Sequence, residues 1–354
     1  MILPALSILL NSRDIGKGMK EAGYYDRIES SLVVCRLCPH HCRLQESQYG
    51  ICQVRKNVRG TLYTEVYGKV AALHLDPIEK KPLYHYYPGR SILSIGTVGC
   101  NLQCNFCQNW HISQACVADY PNQQDYTPEQ VAGIAFENRH NLGVAYTYNE
   151  PVVYYEYMKD IAILVHEGGG KNVMVSNGYI NPRPLEDLFP VMDAFSIDLK
   201  AFTDDFYRRQ TRSGIQPVKD TLIAITRHGK HLEITNLIIP GLNDDPGVFE
   251  EMVQWIREAT GTATVLHLSR YFPGYRATYP ATPHKILDKL FVIAKKYLSF
   301  VYLGNISGSG EGHNTSCPSC GNEVVVRSGY YTRITGLDKE GHCTGCGTQV
   351  LVHI

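Results

Sequence analysis

The chain lacks the features that mark several large function classes. Its 34 Lys and Arg are matched by 34 Asp and Glu, which leaves no net charge to attract nucleic acid or an anionic membrane in general. Neither is expected as a partner. It also has no long apolar run. The early stretch Leu3 to Leu10 is broken by Pro4 and has no basic residue before it. It falls far short of the roughly 20 residues that cross a bilayer, which predicts neither a signal peptide nor a transmembrane helix. Finally, no cysteine lies between Cys116 and Cys317, although the chain holds 12. Grouped cysteines in a 354-residue chain without an export signal point to metal binding rather than a disulfide framework, and to the reducing cytoplasm.

The cysteine-free middle alternates short β-branched runs with longer helical patterns, as repeated βα units around a parallel sheet or barrel do. Strands are expected at Ser91 to Thr97, Gly143 to Tyr148, Asn172 to Ser176, Ala194 to Leu199, Leu232 to Ile239, Thr264 to Ser269 and Phe300 to Ile306. Helices are expected from Thr127-Pro128, Pro151, Asp245-Pro246 and Thr282-Pro283, each with Pro at its first position. The fold class is therefore α/β, with six or seven βα repeats.

Such barrels carry their chemistry on the loops after the strand carboxyl ends. There the sequence places Gly99-Cys100, Asn149-Glu150, Asn177-Gly178, Asp198-Leu199-Lys200 and Arg270. Asn, Asp and Gly are common at any loop start, but together and beside a cysteine group these residues favour one site. The glycine-rich stretch Gly304 to Gly312 reads as a linker; no Lys-Ser/Thr follows it, as a phosphate-binding loop would require.

Directly after the first of these strands stands Cys100-x3-Cys104-x2-Cys107. Iron–sulfur clusters are ordinarily held by four thiolates, so a compact loop offering three leaves one iron of a cubane open to a substrate or cofactor. The structural alternative is a zinc site completed by His111.

With Phe106 one residue before its last cysteine, this loop resembles the hallmark of the radical S-adenosylmethionine (radical SAM) superfamily. The longer strings Thr97 to Ser113 (TVGCNLQCNFCQNWHIS) and Tyr146 to Pro151 (YTYNEP) resemble the AmmeMemoRadiSam system radical SAM branch, close to the pyruvate formate-lyase activating enzymes. The resemblance implies a partial (β/α)6-type TIM barrel of the radical SAM type. It implies that Cys100, Cys104 and Cys107 hold a 4Fe-4S cluster, with Phe106 beside it, whose fourth iron takes S-adenosyl-L-methionine. One electron then cleaves the sulfonium, and the 5'-deoxyadenosyl radical abstracts hydrogen from a substrate.

By the same resemblance, Glu150 accepts the methionine amino group with Asn149 beside it, where many members have Gly-Gly-Glu. Ser176, Asn177 and Gly178 meet the carboxylate or ribose, Asp198 suits the ribose hydroxyls, and Lys200 suits a carboxylate. Asp198 and Lys200, two apart on a strand, could equally pair with each other.

Two further cysteine groups flank the barrel. Cys317-x2-Cys320 and Cys343-x2-Cys346, each followed by glycine, have zinc-ribbon spacing, with rubredoxin-like iron as the alternative. Cys35, Cys38, Cys42 and Cys52 also supply four thiolates, with His40 and His41 as substitutes, for zinc or an auxiliary cluster. Cys116 reads as an ordinary small hydrophobe. The expected division is an N-terminal cysteine-rich module over residues 1–85, the barrel over 86–306, and a linker with a C-terminal zinc ribbon over 307–354.

The resemblance further implies an electron donor of ferredoxin or flavodoxin type and Memo-like and AMMECR-like partners, ahead of a glycyl-radical-enzyme activase. Arg270 to Pro273 and Tyr275 are candidates for the substrate side. A zinc-ribbon binding module would leave the middle motifs idle, and an iron–sulfur electron carrier would not need an open-coordination loop.

Overall fold

In the computed structural model, which describes residues 19–308 and 310–354, the main sheet takes its strands in chain order. They are β1 (Ala72–Pro77), β2 (Ser91–Gly96), β3 (Asn141–Tyr146), β4 (Lys171–Ser176), β5 (Ala194–Asp198), β6 (His231–Ile238), β7 (Val265–Arg270) and β8 (Val301–Gly304). From β2 to β8 every neighbouring pair is parallel, whereas β1 runs antiparallel to β2 from Ala72↔Gly96 to Pro77↔Ser91. β1 and β8 are opposite edges and do not pair with each other. Residues at the ends of β2 through β8 nonetheless line one cavity, so the sheet curves into an open barrel of six βα units. This is the expected α/β partial barrel, and its seven parallel strands lie within about two residues of their expected bounds. The run Leu3 to Leu10 lies outside the described residues.

The strands are apolar on both faces because helices cover the outside. β3 is buried from Leu142 to Tyr146, and β5 from Ala194 to Ile197. The covering helices include α1 (Pro128–Glu137), α2 (Tyr155–Glu167), α3 (Gln216–Arg227), α4 (Pro246–Thr260) and α5 (His284–Lys295). Thr127 and Gln130 form a reciprocal capping box at the start of α1, and Asp245 caps α4 through the Gly247 and Val248 amides. Two expected starts differ in detail. Pro151 opens a 3-10 turn, Pro151–Tyr154, that leads into α2, and Pro283 is the residue before the helix, not its first.

The N-terminal segment folds into two small sheets, Lys20–Glu21 with Thr61–Thr64 and Arg55–Val58, and Tyr25–Arg27 with Val33–Cys35 and Arg43–Leu44. It docks on α2 through a buried ion pair, Arg55 to Glu156 at 2.6 Å. The Gly23 amide donates to the same carboxylate at 2.8 Å.

The C-terminal segment forms the three-stranded sheet Thr315–Ser316, Glu323–Ser328 and Tyr331–Ile334. Its Cys317, Val324, Val325 and Leu351 pack with Tyr84, Val265, Phe300 and Tyr302 at the amino ends of β7 and β8. Buried Arg327 stacks over Tyr84 at 4.2 Å and donates to the Tyr84 carbonyl at 2.8 Å. Beneath this contact, Glu233 of β6 accepts bonds from the Tyr84 and His85 amides and from His231 and His267. Burial alone would raise its carboxyl, but the two histidines hold it well below the ordinary range.

Candidate active site at the strand ends

Where β2 ends, the chain turns at Gly99 and enters the three-cysteine loop. Gly99 has φ +90°, and a Cβ there would stand 2.7 Å from the Cys52 carbonyl and 2.6 Å from a Val54 methyl. The N-terminal module thus presses on the backbone immediately before Cys100. Beyond it the loop is pinned by its main chain: Gln103 and Asn105 amides donate to the Thr211 and Gln210 carbonyls, and the Asn105 carbonyl accepts from the Arg276 amide.

The three cysteines share a cavity of about 250 Å³ with Phe106, Asn149, Glu150, Ser176, Asn177, Asp198 and Lys200. Of the residues expected to hold the cluster or contact the cofactor, all line it except Gly178, whose amide donates to the Ser176 hydroxyl behind the wall. Burial pushes the Cys104 thiol up to about 12 and Cys100 well above the usual thiol range. Such sulfurs become thiolates when a metal takes the place of the proton. His111 does not complete the set; it is exposed and stacks on Trp110 with ring centroids 3.6 Å apart.

Glu150 ties two strand ends together. Its carboxylate accepts from the Ser176 hydroxyl at 2.7 Å, the Asn177 amide at 2.8 Å and the Val152 amide at 3.1 Å. Burial pushes its carboxyl up to about 7 despite these donors, which favour the charged form. A carboxylate offers about four acceptor positions, so one remains for a ligand. Asn149, in contrast, is engaged at both ends of its amide, donating to Thr97 Oγ1 and the Gly99 carbonyl and accepting from the Thr97 amide. It clamps the ends of β2 and β3.

Asn177 donates to Asn101 and lies 3.8 Å from the Cys100 sulfur. Asp198 and Lys200 form the pair that their spacing allows, at 2.9 Å. Burial opposes the Lys200 charge, but Asp198 and the Cys104 sulfur outweigh it and hold the ammonium above its ordinary range.

The cavity also takes Thr147, Tyr148, Thr235, Leu237, Ser269 and Asn305, none singled out in the sequence. Thr235 Oγ is buried without a partner, a polar atom waiting for a ligand. Tyr148 has φ +70° and donates to Asp76 at 2.6 Å, across to β1. Asn305 falls inside the stretch expected to be a linker. That stretch instead folds back, with the Leu303 amide donating to the Gly312 carbonyl at 2.7 Å.

Arg270 to Pro273 and Tyr275 do not line the cavity. Tyr271 is fully buried packing, and Tyr275 stacks on Trp110 at 5.3 Å, outside the cavity lining. Cys116 is half-buried, its thiol 3.0 Å from Asp119.

The terminal cysteines behave differently. Cys317, Cys320, Cys343 and Cys346 have sulfurs all within 4.8 Å of one another, a grouping found nowhere else among the described His, Cys, Asp and Glu residues. Two of the pairs are at 3.5 and 3.6 Å. These four residues can hold a metal ion.

The family model described as the radical SAM superfamily matches residues 94–256. An uncharacterised protein of Methanocaldococcus jannaschii is 40% identical over 336 residues, 94% of this chain and 99% of that protein. A pyruvate formate-lyase-activating enzyme of Clostridium pasteurianum is 25% identical over 146 residues, 41% of this chain and 61% of that enzyme. Among solved structures, a radical SAM methyltransferase from Sphaerobacter thermophilus aligns at 18% identity and TM-score 0.49, covering 62% of this chain and 67% of that one.

Proposed function

The chain belongs to the radical SAM superfamily, and from that premise we propose that it is an enzyme that cleaves S-adenosylmethionine reductively and uses the product radical on a substrate. When bound, a 4Fe-4S cluster and S-adenosylmethionine together supply a 5'-deoxyadenosyl radical. The observation that carries the reading is the shared cavity, which joins three cysteine thiols, an acid with one free acceptor position and an unpartnered hydroxyl.

Within it, Cys100, Cys104 and Cys107 would hold the cluster. Glu150 holds the cofactor's ammonium, and Thr235 Oγ and Asp198 offer acceptors to hydroxyl groups. Lys200 neutralises negative charge beside Cys104. Asn149 and Asn177 position the loop rather than bind the ligand, since their amides are already taken by protein groups. The walls from Phe106, Val175 and Leu237 help to exclude water from the reacting centre.

The string Thr97 to Ser113 supports action alongside Memo-like and AMMECR-like proteins, with a ferredoxin- or flavodoxin-type donor in the cytoplasm. No described helix is long and apolar enough to cross a membrane. The matching stretch of the Clostridium pasteurianum enzyme favours a second reading, activation of a glycyl-radical enzyme. The test is anaerobic reconstitution with iron and sulfide, followed by reduction with dithionite in the presence of S-adenosylmethionine. The wild type should release 5'-deoxyadenosine and Cys104→Ala should not. Equal release by a variant that keeps its full cluster absorbance would sink the proposal.

A further inference from the structure

Cys35, Cys38, Cys42 and Cys52 surround a second cavity whose other walls are mainly Leu37, Leu44, Ile51, Val152 and Val153. The strand Val33–Cys35 delivers the first of them, and the Cys35 amide donates to the Cys42 carbonyl at 3.0 Å. Gly50 closes the far side. A Cβ there would lie 3.6 Å from the Cys52 sulfur and 3.7 Å from the Cys42 sulfur.

Two observations decide what such a cavity can hold. The first is the separation of the sulfurs. Four thiolates around one zinc or one iron, with metal–sulfur bonds near 2.3 Å, stand about 3.8 Å apart. The terminal knuckles approach that geometry, whereas no three sulfurs of this group lie within 4.8 Å of one another. In a cubane each thiolate binds a different iron, which places the four sulfurs on a much wider tetrahedron.

The second is Arg55, which lines the same cavity with 1% of its surface exposed. Its terminal nitrogens are taken by Glu156 and the Gly23 carbonyl, while its Nε is buried with no partner. A buried guanidinium N–H without an acceptor costs stability unless a ligand supplies one. Thiolates and bridging sulfides are acceptors of that kind, and hydrogen bonds to cluster sulfurs help to set a cluster's potential.

We propose that Cys35, Cys38, Cys42 and Cys52 hold a second [4Fe–4S] cluster, fully ligated by protein, with Arg55 Nε–H donating to one of its sulfurs. The inference stands independently of cofactor cleavage in the barrel. Full ligation makes this cluster closed, so it does not bind S-adenosylmethionine. Asn101 separates it from the open loop: that residue lines the four-cysteine cavity, follows Cys100 in the chain, and its carbonyl accepts from His40 at 2.7 Å.

The test uses the full chain with Cys100→Ala, Cys104→Ala and Cys107→Ala together, reconstituted anaerobically. It should retain about four irons and four sulfides, half the wild-type content. After reduction its electron-spin signal should be unmoved by S-adenosylmethionine. The complementary variant, Cys38→Ser with Cys42→Ser, should lose the same half and keep the signal that responds to S-adenosylmethionine. A triple variant that carries zinc in both cysteine groups and no sulfide overturns the inference, as does one with about two irons. If wild-type protein fails to release 5'-deoxyadenosine while the triple variant keeps its four irons, the barrel reading fails and this one stands.

Discussion

The C-terminal knuckles draw four sulfurs within 4.8 Å at the amino ends of β7 and β8, while the N-terminal four stand apart around a cavity that touches the carboxyl-end loop of β2. Both groups contain C-x2-C, so spacing does not separate them. What differs is the backbone that carries the pairs. In the ribbon each pair sits in a tight turn, with the Gly321 and Gly347 amides donating back to the Cys317 and Cys343 carbonyls. In the N-terminal module Cys35 ends a strand, Cys42 adjoins another, and Cys52 arrives from a separate turn. The comparison also separates two jobs. The ribbon lies at the end of the barrel away from the cavity, and the module lies against the three-cysteine loop.

The largest test of that contrast removes the docking cations. Arg55→Met leaves Glu156 buried without its partner, which should cost about 3–5 kcal/mol in denaturant unfolding. Release of 5'-deoxyadenosine should fall with it, because the module shapes Gly99. Arg327→Met should loosen the ribbon, seen as faster amide exchange beyond Gly312, and leave release unchanged. Equal loss of activity in both would erase the distinction.

Next in size is metal loss at the ribbon. Cys317→Ala with Cys320→Ala should remove about one zinc per chain by metal analysis and retain cofactor cleavage. Loss of cleavage with iron intact would give the ribbon a part in the site.

Smaller effects belong to the cofactor contacts. Charge-assisted bonds contribute roughly 1.5–3 kcal/mol, so Glu150→Gln should weaken S-adenosylmethionine binding by about 10- to 100-fold in a titration. Asp198→Asn should cost about 10-fold, near the lower end, because Asp198 is partly exposed and shares its charge with Lys200. Both should keep the cluster.

The smallest is a pH effect. Burial places the Glu150 carboxyl at about 7, so below that pH it is increasingly neutral and cannot attract an ammonium group. Affinity should therefore drop between pH 8 and 6 in the wild type and stay flat in Glu150→Gln. A wild-type curve as flat as the variant's would remove Glu150 from the contact.

Much of this architecture could be read in the residues, and the gaps have physical causes. The seven parallel strands declared themselves because apolar runs buried on both faces stand out from polar loops. β1 did not, since its Leu75 faces outward and no alternation survives. α3 was missed because Ile215 precedes it with no capping side chain and its Pro217 stands second in the helix, not first. At the site, Glu150, Asp198 and the cysteines were legible as charged or sulfur-bearing residues at strand ends. Thr235, Ser269 and Asn305 were not, because an ordinary polar residue becomes part of a site only when curvature brings distant strands together. Asn149 lines the cavity, but its side chain is spent on the neighbouring strand end, a matter of hydrogen-bond geometry that no spacing records.

Gly99 carries a consequence for how the protein matures. Its backbone is moulded against Cys52 and Val54, which leave the ribosome well before Cys107 does. The scaffold is therefore synthesised ahead of the part it shapes, and the three-cysteine loop acquires its form on a surface already present. Three bare thiols exposed to oxygen are a hazard to a newborn chain. An earlier-made mould shortens the interval in which they stand unprotected.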